Sequence, residues 1–548
     1  MDTRFNWLSD YLARLEGEHL IAQRGAAELL APAQCLILDP EDWAAAARIA
    51  AGLGMRHAGV WADAHEVNSD EYTANDDSAA PGMMVYAVLE YAGDYLVLKT
   101  RVDLNRAELN SHTPFFSGVN RLERHAQDLI GIRFIDHPDP RRWIRHQAWP
   151  DNQFPLRRDF HYPPASVNQA APRTPADGHY PFIPIAGASV FSIPVGPVHA
   201  GIIEPGHFRF HAAGEDVLKL EEHLGYVHKG IEALAIGRDA MGLARLAARI
   251  SGDSTVAHTW AACQALERAT ATQVPDRAQH LRALFAERER VANHLGDIGA
   301  ICNDVGFGFA FAQCSRLRER WQRRSDALFG HRLLMDKIIP GGVALDLAAD
   351  QIPNLRRDHV HFRAACVTLF DIFNNHPSLG DRLVTTGQLS IAQAQQLGCT
   401  GYVGKASGLG FDVRRCNPYS PYDQFTISMK IEQEGDVAAR MRIRMREIRQ
   451  SLTLMDQLLE TLPEGAISIA LNSPPTGGGE GLGMIDGWRG EIITFVRVNN
   501  DGRIARFFPR DPSWFTWPAL EQLILGNIVP DFPVCNKSVN GSYSGVDL

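Results

Sequence analysis

The sequence lacks several things at once, and each absence removes a class of function. No run among the 548 residues approaches the roughly 18 consecutive apolar positions that a membrane-spanning helix needs. The opening MDTRFNWLSDYLARLEGEHL carries acids throughout and has no apolar centre, so it does not read as a secretory signal. Of the eight cysteines (Cys35, Cys263, Cys302, Cys314, Cys366, Cys399, Cys416 and Cys535), no two form a CxxC pair. That speaks against a zinc ribbon or a locally ligated iron–sulfur cluster, and for buried thiols in a reducing compartment. No block of Lys and Arg is present, the net charge is −10 and the pI is about 6.1. Phosphate backbones and anionic lipids need a basic footprint, so neither nucleic acid nor charge-driven membrane docking is expected.

What is present is globular in kind: 45% hydrophobic and 22% charged residues, enough for two or three cores. Residues 1–160 read as mixed α and β. Strand-like runs in 85–104 flank the turn signal Ala92-Gly93-Asp94, and a helical stretch follows at 121–134. Residues 161–185 hold six prolines and little periodicity, which marks a linker. Helical spacing then appears over 218–237, closing on Gly237, and over 279–300. The clearest case is 436–460, where Met441, Met445, Ile448, Leu452, Met455 and Leu459 recur at spacings of 4, 3, 4, 3 and 4. That seam predicts a helix in a bundle core. Strands are expected at 466–472 and 491–498. Between them, PPTGGGEGLG (474–483) has neither a Gly-Lys-Ser/Thr nor dinucleotide spacing. It reads as a tight loop that lets backbone approach another element rather than a phosphate cradle.

Longer motifs identify relatives. ERHAQDLIGIRFIDHPDPRRWIRHQAWPDNQFPLRRDF (123–160) resembles the signature of the complex I 30-kDa subunit. GPVHAGIIEPGHFRF (196–210), EHLGYVHKGIE (222–232), ERERVANHLGDIGA (287–300), GHRLLMDKIIPGGV (330–343), PYSPYDQF (418–425), RMREIRQSL (444–452) and GWRGEI (487–492) resemble the 49-kDa subunit and the large subunits of group 4 nickel–iron hydrogenases. Their fusion in one chain resembles the large subunit of formate-hydrogenlyase-type complexes. The resemblance implies an α+β chain: an α/β domain of the 30-kDa type over 1–160, the linker 161–185, and over 186–548 a mainly helical bundle with small β elements. It also implies a small iron–sulfur subunit and antiporter-like membrane subunits as partners. The chain would then be cytoplasmic, held peripherally on the inner face of the plasma membrane, with iron–sulfur clusters in the partners.

The resemblance also locates a site. Hydrogenases hold nickel and iron between two cysteine pairs, because soft thiolates suit the low-valent metals. The early motif, R-x-C-G-x-C-x-x-x-H, stands here as RISGDSTVAH: Arg249, Gly252 and His258 are kept, and Ser251 and Ser254 replace the cysteines. At the late pair, VNGSYSGVDL puts Ser542 and Gly545 at the cysteine positions, with Asn540 and Gly541 where Asp-Pro would be. The chain ends three residues past Gly545, where a processed hydrogenase would end, which suits a site that never waits for nickel. Serine hydroxyls ionise far less readily than thiols, so no metal is expected. The quinone-binding tyrosine of complex I aligns with Gly252 and its histidine with Ile203, while an earlier histidine is kept as His199.

Glu204 matches the acid that shuttles protons in hydrogenases. Glu204, His199 and Asp253 are therefore the candidate proton relay, weighed against a loop acid that caps a helix or pairs with an arginine. Arg249 and His258 would orient the loop. Glu289, Asn293 and His294 read as a satisfied buried network rather than metal ligands, and the arginines of RRWIRHQ (141–147) as ties between domains and subunits. Two functions compete: a coupling subunit, and a repurposed cavity that reduces a quinone or another small oxidant. A working hydrogenase ranks last.

Overall fold

The computed structural model describes residues 6–20, 22–24, 30–64, 82–146, 149–160, 180–199 and 203–548. Most of the expected linker, 161–179, lies outside the described residues. The fold is α+β. Strands β1 (Ala22–Arg24), β2 (Gln34–Leu38), β3 (Arg56–Asp63), β4 (Gly82–Tyr91) and β5 (Asp94–Asp103) form one sheet in the order β1-β2-β5-β4-β3. The β4–β5 hairpin turns where expected. Ala92 (φ 52°) and Gly93 (φ 97°) both take positive φ, as a two-residue turn matched to strand twist requires. Helix α1 (Asn120–Ile130) packs on β3 and ends on Gly131 in the left-handed region (φ 81°).

Next come β6 (Val190–Val195), β7 (His207–Ala213) and β8 (Asp216–His223), an antiparallel sheet in that order. The helix expected over 218–237 is therefore mostly absent. Val217 and Leu220 are buried while Leu218 is exposed, and β8 pairs with β7 along its length. Gly225 (φ 99°) and Gly230 (φ 70°) hold backbone that no α-helix accepts. Only α2 (Ile231–Ala235) is helical, and Gly237 (φ 78°) does stand just past its end.

The bundle follows as α3 (Thr255–Ala269), α4 (Asp276–Asp304), α5 (Gly308–Phe329), α6 (Ile352–Asn374) and α7 (Val437–Glu460). All six residues of the expected seam on α7 are buried, and α7 packs on α4 and α6. The chain closes with β9 (Gly479–Gly487), β10 (Gly490–Val498) and β11 (Ile504–Arg510), an antiparallel sheet. Helices α8 (Ser513–Leu523), α9 (Phe532–Val539) and α10 (Tyr543–Asp547) come last.

The glycine-rich stretch becomes strand from Gly479 onward rather than loop, and its glycines do serve close approach. Gly479, Gly481 and Gly483 alternate along β9 against Ala269, Ala265 and Ala261 of α3. A Cβ built on them would lie 2.1, 2.1 and 1.9 Å from the respective carbonyl oxygens. The strand expected at 466–472 does not form. That segment makes a single bridge, Ser468 to Gly342.

The two sheets that begin and end the chain meet face to face. Trp61 stacks on Tyr86 and Phe508, and Phe495 tilts against both Trp61 and Tyr86. Arg56 of β3 reaches Glu491 of β10 at 2.9 and 2.8 Å, where Tyr95 and Arg510 also bond that carboxylate.

Candidate functional site

The site forms where the starts of two helices converge. The turn Gly252–Ser254 leads into α3, and Ser542 caps α10 by accepting the Gly545 N–H at 2.9 Å, a usual role for serine. The Ser251 and Ser542 hydroxyls, 291 residues apart, share a hydrogen bond of 2.9 Å, and Ser251 also donates to Asp253 at 2.6 Å. Asp253 is gripped by both terminal nitrogens of Arg489, at 2.8 and 2.6 Å. Ser254 Oγ accepts from Arg489 Nη1 and Trp488 Nε1, both at 3.0 Å. Arg489 itself lies 4.0 Å over the Trp488 ring and donates to the Asn540 carbonyl at 2.7 Å. Ser251, Asp253, Arg489 and Ser542 border a cavity of about 310 Å³, lined among others by Ile203, Glu204, Asn536, Lys537, Asn540 and Tyr543.

The residues read from the sequence divide into those that meet and those that do not. Ser251, Gly252, Asp253, Ser254 and Ser542 converge. Glu204 reaches the same cavity but is exposed, and it accepts the Ser544 N–H in the first turn of α10 at 3.0 Å. Its observed contact is thus helix capping, the alternative weighed against the relay. His199 is half-buried beside Tyr543, whose hydroxyl stands 3.4 Å from its Nε2. Burial and the Lys537 ammonium push that imidazole down, so it is neutral at ordinary pH. Burial works to raise Asp253, but Arg489 outweighs it and the carboxyl ends below the usual range. An acid held ionised in this way is a poor proton donor near neutrality.

Of the residues expected to line the cavity, Ser254, Arg249, His258 and Gly545 do not. Arg249 turns outward onto Asp336, at 2.7 Å through Nη2. His258 is fully buried against Asp511, 2.8 Å away. Gly545 lies under the same Asp511, whose Cγ would be 2.8 Å from a Cβ at position 545. Glu289, Asn293 and His294 do not point at one centre. Glu289 accepts the Val256 and Ala257 N–H groups at the start of α3, Asn293 donates to the Asp253 carbonyl, and His294 pairs with Glu447 at 2.6 Å. The three are buried and hydrogen-bonded as expected, except that His294 Nδ1 has no partner among the described residues. Arg141 joins Asp139 to Glu221 of β8, and Arg142 and Arg145 bond carbonyls of their own loop. Gln147 lies outside the described residues.

Sequence reasoning missed Arg489, Lys537, Asp511 and Asp547. Arg489 sat inside a quoted motif, GWRGEI, yet nothing local says that it pairs with Asp253. Asp547 is fully buried and accepts the Gly225 and Val227 N–H groups at 2.8 and 3.0 Å. Burial pushes its carboxyl up to about 7, and nearby Glu204 adds to the rise. Burial likewise pushes Glu289 up to about 8. Both folded values lie above the unfolded ones. The stability these groups contribute is complete below about pH 4 and is lost as pH rises through about 7 and then about 8. A Glu289→Gln/Asp547→Asn protein is expected to lose several degrees less in Tm than the parent between about pH 5 and about pH 9. Parallel melting curves across that range would remove both groups from the account.

Comparison with known proteins finds relatives for both parts of the chain. Residues 36–166 match the model of the respiratory-chain NADH dehydrogenase 30-kDa subunit, 304–476 that of the 49-kDa subunit, and 229–296 that of nickel-dependent hydrogenase. Formate hydrogenlyase subunit 5 of Escherichia coli is 31% identical over 465 residues, covering 83% of this chain and 79% of that protein. A subunit of the NADH-quinone oxidoreductase of Phocaeicola vulgatus is 29% identical over 74% of this chain and 80% of its own. The membrane-bound hydrogenase subunit alpha of Pyrococcus furiosus is 27% identical over 65% of this chain and 87% of its own. The chain belongs to the family of complex I-related hydrogenase large subunits in which the 30-kDa and 49-kDa elements are fused.

Proposed function

We propose that this chain is the subunit of a hydrogenase- and complex I-related oxidoreductase complex in which the nickel site has been lost and electron transfer is coupled to proton or ion translocation. The observation that carries the reading is the state of the former metal positions. Ser251, Ser254 and Ser542 offer hydroxyls already committed to one another, to Asp253, to Arg489 and to Trp488. Position 545 has no side chain, and the Asp511 carboxyl fills the space in front of it. This donor set does not fit a nickel–iron centre, which calls for thiolates. An ion pair, Asp253 with Arg489, bridges the two walls instead.

The proposed partners are a small iron–sulfur subunit and antiporter-like membrane subunits, which would hold the chain peripherally on the inner face of the plasma membrane. Among the described residues no helix is long and apolar enough to cross a membrane. Phe309 and Phe311 on α5 and Val360 and Val367 on α6 stand exposed, which suits docking on other subunits. The second reading, reduction of a quinone or another small oxidant in the cavity, is favoured by the roughly 310 Å³ of space. Its lining of Arg489, Lys537, Asn536, Asn540 and Glu204 favours a small polar oxidant over a lipid quinone.

The first test is nickel and iron content of the complex purified with its partners. The expected result is no nickel, with iron matching only the partners' clusters. Nickel near one per chain would sink the proposal. The second reading is tested by oxidant-dependent turnover. Loss on Glu204→Gln or His199→Ala supports it, and turnover unchanged by both counts against it.

A further inference from the structure

Gly252 and Asp253 also form one wall of a second pocket, small and separate, of about 20 Å³. That is room for one particle of water or halide size. Its other walls include Arg288 and Glu289 of α4 and Trp321 and Ser325 of α5.

Arg288 is 1% exposed. Its Nε and Nη2 donate to Ser325 Oγ at 3.1 and 2.9 Å, Nη2 also to the Trp321 carbonyl at 3.1 Å, and the guanidinium lies 4.2 Å over the Trp321 ring. None of these partners is an anion, and Nη1 has no hydrogen-bond partner among the described residues. Other fully buried arginines are compensated. Arg282 sits on Glu267, Arg414 on Glu287 and Asp412, Arg444 on Asp297 and Arg510 on Glu491. Arg440 has no carboxylate, yet its Nε, Nη1 and Nη2 each find an acceptor.

The acids around Arg288 are already engaged. Asp253 is held by Arg489, and Asp358 by Arg324, whose own charge repels Arg288 more than Asp358 attracts it. Glu289 spends both oxygens on the α3 N–H groups, and burial keeps it largely protonated at neutral pH. Arg332, on the pocket's rim, is positive and tied to Glu319. A positive charge is therefore buried beside a small, mostly apolar pocket with no carboxylate of its own, a strongly unfavourable arrangement.

We propose that this pocket binds a small monovalent anion of the halide class, chloride in ordinary media, held by the free Nη1–H of Arg288. Water would fit the space but leave the charge uncompensated. Polyatomic anions such as sulfate exceed the volume. The anion would sit across the Gly252–Asp253 turn from the Asp253–Arg489 pair, so its occupancy bears on the site already described. Halide binding is expected to weaken as pH rises past about 8, where Glu289 ionises, and further past about 9, to which burial and the Arg324 charge bring the Arg288 guanidinium down.

The experiment uses the complex purified with its partners and crystallised in bromide. An anomalous bromide peak at hydrogen-bonding distance from Arg288 Nη1 is expected. No peak there, whether the place holds water or the Glu289 carboxylate turned onto Arg288, overturns the proposal. In parallel, Tm is followed against chloride at constant ionic strength, with gluconate as the replacing anion. The parent is expected to gain stability with chloride and Arg288→Met to show no dependence; equal dependence in both overturns it. If the variant fails to assemble, the bromide map of the parent decides alone.

Discussion

Glu491→Ala is expected to cost about 3–5 kcal/mol, the range for stripping one partner from a buried ion pair. The carboxylate is fully buried and holds Arg56, Tyr95 and Arg510 together. Without it, two guanidinium groups and a phenol lose their acceptor inside the contact between the first and last sheets. Arg56 keeps Glu90 at 2.9 Å, but Arg510 has no second carboxylate among the described residues. The damage should appear as a split urea transition, the N-terminal sheet releasing first, with earlier proteolysis between the two parts. One cooperative transition at the parent's midpoint would show that the aromatic contact of Trp61, Tyr86, Phe495 and Phe508 suffices alone. The pH dependence has a definite sign. Burial acts to raise Glu491, yet Arg56 and Arg510 overcome it and bring the carboxyl to about 2. Its contribution is therefore present above about pH 4.5 and lost as pH falls toward about 2.

The second large effect is expected at Gly483. A methyl there would lie 1.9 Å from the Ala261 carbonyl oxygen and 2.7 Å from its carbon, and both belong to helix backbone that cannot rotate aside. Overpacking a core costs about 1–3 kcal/mol when side chains can give, and more when they cannot. Gly483→Ala is expected to prevent β9 from seating on α3, and Gly483→Val to abolish accumulation of folded chain. Gly380→Ala is the control. A Cβ at that helical position meets nothing within 4 Å, and alanine favours helix by roughly 1 kcal/mol. Circular dichroism melting of the three variants separates the cases. A Gly483→Ala protein as stable as Gly380→Ala would mean that the sheet and helix can part by an ångström without loss.

Which parts of this were legible beforehand follows the range of the interactions. The α7 seam and the β4–β5 hairpin were readable because periodicity and turn chemistry are local. The glycines of 474–483 were read correctly as backbone approach but wrongly as a loop. The strand Gly479–Gly487 has a residue pattern that means strand only once Ala261, Ala265 and Ala269 are opposite it. The 218–237 misreading arose because Leu220, Leu224 and Ile231, separated by 4 and 7, fit a helical spacing. The glycines at 225 and 230 carried the contrary information. The site was legible only through motif resemblance, since Ser251 and Ser542 share no local signal. Even then the resemblance named positions, not partners. Arg489 and Asp511 decide the site's electrostatics and were invisible as such, because an ion pair is a property of two distant places.

The glycine–alanine contact has a consequence for how this site can respond to a ligand. Side chains between a strand and a helix act as springs, since they can shift rotamer and let the two elements slide. Where Gly479, Gly481 and Gly483 cross α3 the contact is backbone on backbone, Gln264 and Arg268 of α3 bond the β9 backbone beside it, and the first turn of α3 is also held by Glu289. The helix therefore behaves as a strut with no slack, and Ser251–Ser254 at its end form a fixed anvil. Any adjustment to an arriving molecule falls to the opposite jaw, Asn540 to Ser544, whose grip on the anvil is one hydroxyl contact from Ser542 and, through the Asn540 carbonyl, the Arg489 guanidinium that holds Asp253.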